Sequence, residues 1–221
     1  MAEPGHRPDS PSPGVAIHQP EKGFRYGSES FWVAGFALEG GVPHTAIDLG
    51  TGSGIVAALL AFRGVDALGV DLRAEWAPYW RYTLLETTVA GRLRLSHADI
   101  QGVTGKFDLA ISNPPFFPAG SGPIASDPWR AAARTESSAS LADFIRVGLR
   151  VADRLCLVIP ASRVEEAVRS AEPSRRVQVG SQRTLLEFGG RAEPDAQVAE
   201  SDPRVLGWYA AFNARPPAQR R

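Results

Sequence analysis

Between residues 45 and 63 the sequence passes from a β-branched run, through a turn with three glycines, into an apolar helical run. Few architectures accept that succession. Thr45–Leu49 (TAIDL) reads as a strand, Asp48-Leu-Gly50-Thr-Gly52-Ser-Gly54 as the turn out of it, and Ser53–Arg63 as the helix that follows. Glycines at alternate positions let the backbone turn sharply and approach a ligand without Cβ clashes. A dinucleotide fingerprint needs G-x-G-x-x-G, but the sixth position counted from Gly50 is Ile55. The spacing is G-x-G-x-G with Asp48 two residues ahead. It points to a ligand lying over the turn without a pyrophosphate on the helix N-terminus.

The rest of the middle of the chain repeats the alternation. Strands are expected at Ala67–Asp71, Arg92–His97, Phe107–Ser112 and Arg154–Ile159. Helices are expected at Phe31–Leu38, Arg73–Ala90, Ala139–Ala152 and Val164–Ser170. Val177–Gly180 and Thr184–Phe188 read as a last strand pair, close enough in sequence to run antiparallel. The pattern predicts an α/β fold: a doubly wound, mostly parallel, Rossmann-like sheet with an antiparallel last strand pair. Such sheets bind ligands beyond the carboxyl ends of their strands, where the strand order reverses. Gly50–Gly54, Asp71, Asp99 and Asn113 all fall at predicted strand ends, on one edge of one sheet.

Each of these positions carries a chemical reading. Asp71 can accept hydrogen bonds from two vicinal ribose hydroxyls, or can cap the helix that begins near Arg73. Asp99 can accept from an exocyclic amine while Ile100 flanks the ring, or can serve as a strand-end turn residue. The turn at Gly50–Gly54 resembles motif I of the class I S-adenosylmethionine-dependent methyltransferases. In that reading Asp48 supports the methionine amino group; otherwise it is a solvated turn residue. After the fourth strand comes Asn113-Pro114-Pro115-Phe116-Phe117. Consecutive prolines fix φ and remove two backbone donors, which gives a stiff, extended turn. The Asn113 side-chain oxygen and the Pro114 carbonyl can both accept from one NH2 group. That localises the amine's lone pair and aims it at a sulfonium methyl. Phe116 offers a face for base stacking.

Taken together, the two motifs resemble the amino-methyltransferases with [N/D]-P-P-[Y/F/W], which act on exocyclic amines of adenine or guanine and on glutamine amides. A longer order is also present. Gly23-Phe24-Arg25-Tyr26-Gly27-Ser28-Glu29-Ser30 precedes the first helix, Trp129-Arg130 and Arg134 follow the proline turn, and Arg183-Thr-Leu-Leu-Glu-Phe188 forms a late strand. Over roughly residues 22–190 this resembles the bacterial tRNA(Val) adenine-N6 methyltransferase family. It departs at Ser28-Glu29, where the family often has Thr-Asp, and at Phe116, where Tyr is common.

The resemblance implies S-adenosyl-L-methionine as cofactor and tRNA as nucleic-acid partner. It assigns Asn113, Pro114 and Phe116 to catalysis. It gives Asp48, Gly50, Gly52, Gly54, Asp71, Asp99, Ile100 and Asn113 to the cofactor, and Phe116, Arg130 and Arg134 to the substrate. Adenine N6 is the expected target. Guanine N2 in rRNA and glutamine N5 in a protein are alternatives within the enzyme class, and a catalytically silent cofactor- or RNA-binding module is the non-enzymatic one.

Composition sets limits on these readings. The 221 residues carry 24 basic and 24 acidic side chains, so bulk positive field does not drive nucleic-acid binding and recognition has to be local. No apolar run approaches the ~20 residues of a membrane helix, and no secretory pattern opens the chain. Cys156 is the only cysteine and His6, His18, His44 and His97 show no ligand spacing, so no metal site is expected. Residues 1–19 read as a disordered Pro-rich tail, residues 20–213 as a single domain, and residues 214–221 as a basic tail. A cytoplasmic monomer without membrane contact is expected.

Overall fold

A computed structural model of the chain describes residues 8–21, 25–115 and 139–215. In chain order its elements are β1 (Asp9–Ser12), β2 (Val15–Ile17), α1 (Ser28–Glu39), β3 (Thr45–Leu49), α2 (Ile55–Phe62), β4 (Asp66–Asp71), α3 (Ala77–Glu86), β5 (Leu93–His97) and β6 (Phe107–Ser112). There follow α4 (Leu141–Val151), β7 (Ala152–Pro160), α5 (Val164–Ser170), β8 (Arg175–Val179), β9 (Arg183–Phe188), β10 (Ala196–Val198) and α6 (Pro203–Ala210). The main sheet has eight strands in the order β10-β8-β9-β7-β6-β3-β4-β5. Every neighbouring pair is parallel except those made by β9, which runs antiparallel to both β7 and β8. The mixed, mostly parallel sheet and its antiparallel β8–β9 pair are as the sequence predicts.

Parallel central strands are covered on both faces, and their residues alternate between two apolar layers. Ala46, Leu109 and Ile111 join the layer that holds Phe36 of α1 and Leu59 of α2. Ile47, Leu49 and Ala110 join the opposite layer, with Leu141, Phe144 and Ile145 of α4. Gly35 of α1 leaves room for Trp208 of α6, whose ring meets Phe36 edge-on at 6.2 Å.

Three expectations change. Residues 9–17, read as part of a disordered tail, form the β1–β2 hairpin about a turn with Gly14 at φ +73°. Val15 and Ile17 are buried. The hairpin is held by threonines at the end of α3: Thr87 Oγ1 accepts from Ala16 N and donates to Ala16 O, both at 3.0 Å, and Thr83 Oγ1 accepts from His18 N at 3.0 Å. Two alternating apolar residues suffice because distant side chains satisfy the hairpin's backbone. The second helix, expected from Arg73, is a 3-10 turn at Ala74–Trp76 and then α3. Pro78 lacks an N–H and belongs in a first helical turn, which fixes the start of α3 just ahead of it. β10 and α6 had no counterpart in the sequence reading.

A charged network lies under the β7–β9–β8 side. Arg175 and Glu187, each about 3% exposed, pair at 2.7 Å; Arg154 Nε donates to Glu187 Oε1 at 2.6 Å and Arg175 Nη1 to Glu39 Oε2 at 2.9 Å. Removing one partner of a buried pair strands the others. Glu187→Met is expected to destabilise the protein by about 3–5 kcal/mol in urea unfolding; a loss below ~1 kcal/mol contradicts this account of the network.

Candidate functional site

The parallel register places the ends of β5, β4, β3 and β6 side by side. Asp48 stands opposite Gly69 and Ile111, and Asp71 opposite His97. Three inter-strand spacings of ~4.8 Å make this edge about 14 Å wide.

The glycine turn is pinned to β4. Gly50 N and Thr51 N both donate to Val70 O at 2.9 Å, and Gly52 N donates to Asp71 Oδ2 at 2.9 Å. Trp80 Nε1 of α3 donates to Gly52 O at 2.8 Å, so both sides of that residue are fixed. Gly52 and Gly54 have φ of +55° and +86°, which L side chains rarely adopt, and a Cβ at Gly54 lies 2.9 Å from a Leu95 methyl. The bare turn is therefore required by conformation and by packing.

Asp48 is 2% exposed and accepts from Thr51 Oγ1 at 2.5 Å. Burial pushes its carboxyl up to about 7; the Thr51 hydroxyl and the Ala57 N–H pull it back, and the Asp71 charge pushes it up further. This corrects the solvated-turn reading of Asp48. Asp71, also buried, does two jobs: Oδ2 holds Gly52, while Oδ1 takes Arg73 N at 2.9 Å and Arg73 Nε at 3.4 Å. Oδ2 retains a lone pair for a further donor, and the long Arg73 Nε contact is the one most easily exchanged. Asp99 is exposed and caps the 3-10 turn Ile100–Gly102 through a bond from Gln101 N at 2.9 Å, and Ile100 is buried.

At the end of β6, Ser112 Oγ donates to Leu49 O at 2.6 Å, which ties the strand to β3 just ahead of Asn113. The Asn113 Oδ1 atom is buried and has no hydrogen-bond partner among the described residues. A buried acceptor without a donor is uncommon in a folded protein and leaves a lone pair open to an incoming donor. The residues expected from the sequence at the site, Asp48, Gly50, Gly52, Gly54, Asp71, Asp99, Ile100, Asn113 and Pro114, thus come to one edge, with the bare turn and Asp71 at its middle. Phe116, Arg130 and Arg134 lie outside the described residues.

Sequence reasoning missed Thr51, Trp80 and Arg163. Arg163 reaches this edge from beyond β7, donating Nη1 to Pro115 O at 3.0 Å. The signal for Trp80 was an indole in a helix with a donor to satisfy; Arg163 had none. Among the described residues no group of three His, Cys, Asp or Glu side chains is arranged to hold a metal, and no helix is long and apolar enough to cross a membrane.

The family model described as methyltransferase small domain matches residues 36–126. Solved structures share the fold: the hMettl16 catalytic domain in complex with MAT2A 3'UTR hairpin 1 (TM-score 0.59, 15% identity, 82% of this chain and 78% of that one) and the glycopeptide N-methyltransferase MtfA with S-adenosyl-L-homocysteine (TM-score 0.52, 14% identity, 79% and 94%). The chain belongs to the class I S-adenosylmethionine-dependent methyltransferases. Within them its similarity runs to proteins named tRNA1(Val) (adenine(37)-N6)-methyltransferase. The one from Porphyromonas gingivalis is 30% identical over 202 residues, covering 85% of this chain and 78% of that protein. The one from Aeromonas salmonicida is 33% identical over 129 residues, and there the match spans 53% of the relative's length and 54% of this chain.

The Asp48 ionisation has a consequence for stability. Between about pH 4 and pH 7 the unfolded chain releases this proton while the folded chain keeps it, so stability falls as pH rises through that window and levels off above it. Asp48→Asn removes that slope. The variant is expected to exceed the parent in stability by on the order of 2–4 kcal/mol at pH 8, with the gap closing by about pH 4. Urea unfolding at both pH values measures this, and equal differences at the two refute it.

Proposed function

We propose that the protein methylates an exocyclic amine of a nucleobase, adenine N6 in tRNA, using S-adenosyl-L-methionine, as a cytoplasmic monomer. The observation that carries the reading is the buried, unpartnered Asn113 Oδ1 at the end of β6, directly before two prolines. A carboxamide oxygen with no donor among the described residues suits an incoming N–H. S-adenosyl-L-methionine, when bound, supplies an electrophilic methyl group on a sulfonium centre.

The chain's own residues divide the work. The glycine turn from Gly50 to Gly54 offers a surface without side chains. Asp71 offers Oδ2, with exchange of the Arg73 contact, to ribose hydroxyls. Asp48 in its charged form meets an ammonium, a partner that favours ionisation of a carboxyl whose burial otherwise holds it near neutral pH. Asp99 offers an exposed carboxylate to an exocyclic amine, beside buried Ile100. On the acceptor side, Asn113 Oδ1 and the Pro114 carbonyl take the two hydrogens of the substrate amine. That draws its lone pair out of conjugation with the ring. As the new N–C bond forms and the S–C bond breaks, the surplus proton leaves the nitrogen for solvent, so no strong base is required. A base in a stacked helix cannot reach such an edge, which suits an unpaired loop nucleotide. Phe116 is assigned to stacking, and Arg130 and Arg134 to phosphate contacts. Adenine in tRNA is favoured by the names of the relatives, and the neutral charge of the chain is met by local rather than bulk recognition.

Labelled cofactor incubated with tRNA, rRNA and protein fractions tests the assignment. Label is expected in tRNA as N6-methyladenosine; label as N2-methylguanosine in rRNA or in glutamine overturns the choice of substrate, and no label in any fraction overturns the enzymatic reading. Asn113→Ala is expected to lower the transfer rate by about 10²-fold or more with cofactor affinity retained. Asp71→Ala is expected to lose cofactor affinity by tenfold or more by calorimetry, on the order of 1.5–3 kcal/mol for hydrogen bonds to a charged group.

A further inference from the structure

Pro114 and Pro115 have no backbone N–H, so the turn that carries Asn113 can be gripped from outside only at its carbonyls. Upstream, the Ser112–Leu49 bond holds the strand to its neighbour at 2.6 Å. Downstream, the grip comes from a separate part of the fold. Arg163 ends the 3-10 turn Ala161–Arg163 after β7, and that turn is itself held by Ala161 N donating to Gln182 O at 2.9 Å. The Arg163 guanidinium divides its donors: Nη1 goes to Pro115 O at 3.0 Å, while Nε and Nη2 go to Glu166 Oε2 and Oε1 at 2.9 and 2.7 Å. Arg163 is only 6% exposed. Burying a guanidinium costs several kcal/mol unless it is paired and its donors are satisfied. A single carbonyl does not need a charge to hold it. The planar fork does what a lysine cannot: one rigid group binds the carboxylate in bidentate fashion and the carbonyl at a fixed angle.

We propose that Arg163, held by Glu166, is a positioning residue for the methyl-accepting end of the site: it fixes the Asn113–Pro115 backbone through the Pro115 carbonyl. The proposal rests on the reading of Asn113 as the group that accepts the substrate's amine hydrogens. Among the described residues no donor orients Asn113 Oδ1, so the backbone on either side sets the place of that carboxamide. Displacing such a group by about 1 Å can cost on the order of 10²-fold in rate.

Two measurements on the full chain test this. In steady-state kinetics Arg163→Met is expected to lower kcat on the order of 10²-fold while KM for the cofactor stays within about twofold, and Arg163→Lys is expected to fall between Met and the parent. In hydrogen exchange followed by mass spectrometry, without substrate, Arg163→Met is expected to speed exchange in the peptide spanning residues 107–115, with exchange over residues 48–54 unchanged. Glu166→Gln, which weakens the support of the guanidinium, should shift both readouts in the same direction by less. A parental kcat in Arg163→Met, an unchanged 107–115 peptide, or exchange raised equally across the sheet overturns the proposal. If the parent methylates none of the three fractions, the functional reading fails by itself, and the exchange data still decide whether Arg163 fixes the turn.

Discussion

The in-register pairing of β3 between β4 and β6 governs where every chemical group of this protein can stand. Because the three strands run parallel, their carboxyl ends finish together, and the connections that leave them share one edge. The turn after β3 is then tied to β4 by two bonds to Val70 O and one to Asp71. Neither tie exists unless the register brings Gly69 opposite Asp48. The left-handed glycines, the Trp80 bond and the closeness of the two aspartates follow from that registration. A slip of one residue would send Ile47 and Leu49 to the wrong apolar layer, so the core and the site are specified by the same pairing.

On that frame the protein treats its buried charges in two ways. Glu187 and Arg175 are paired with each other, and Arg154 and Glu39 take further places around them. Asp48 is left with a hydroxyl and a backbone N–H, and its carboxyl rises to about 7. The first arrangement holds strands together. The second leaves a carboxyl in want of a cation, at the place where the proposed cofactor brings an ammonium. The proline turn at the far end of the same edge follows a similar logic: on one side of Asn113 the Ser112 hydroxyl ties β6 to the Leu49 carbonyl, on the other Arg163 grips the Pro115 carbonyl, while the Asn113 oxygen finds no donor among the described residues. Folding stability is given up at these two places, and in the proposed reaction both meet a ligand.

The α/β class, the parallel strands, the reversed late strand and the Asp48, Asp71, Asp99 and Asn113 positions were legible from residue order alone. Apolar runs of five or six residues, spaced by helical segments, leave few arrangements, and strand ends follow from them. The N-terminal hairpin was not legible. Its composition is that of a tail, and it is ordered because Thr83 and Thr87, some seventy residues on, satisfy its backbone. Arg163 was invisible for the same reason: an arginine after a strand gives no sign that a carbonyl forty-eight residues earlier needs a donor.

What the sequence determined by itself is what local chemistry dictates. Glycine admits positive φ, proline removes donors, and alternation of apolar residues sets which face of a strand is buried. Those constraints act within a few residues and can be read without knowing the fold. Only the tertiary structure decided the ionisation of Asp48, the double duty of Asp71 and the grip of Arg163 on the proline turn. Each depends on desolvation or on a partner distant in the chain, and both come into being only when the sheet has closed.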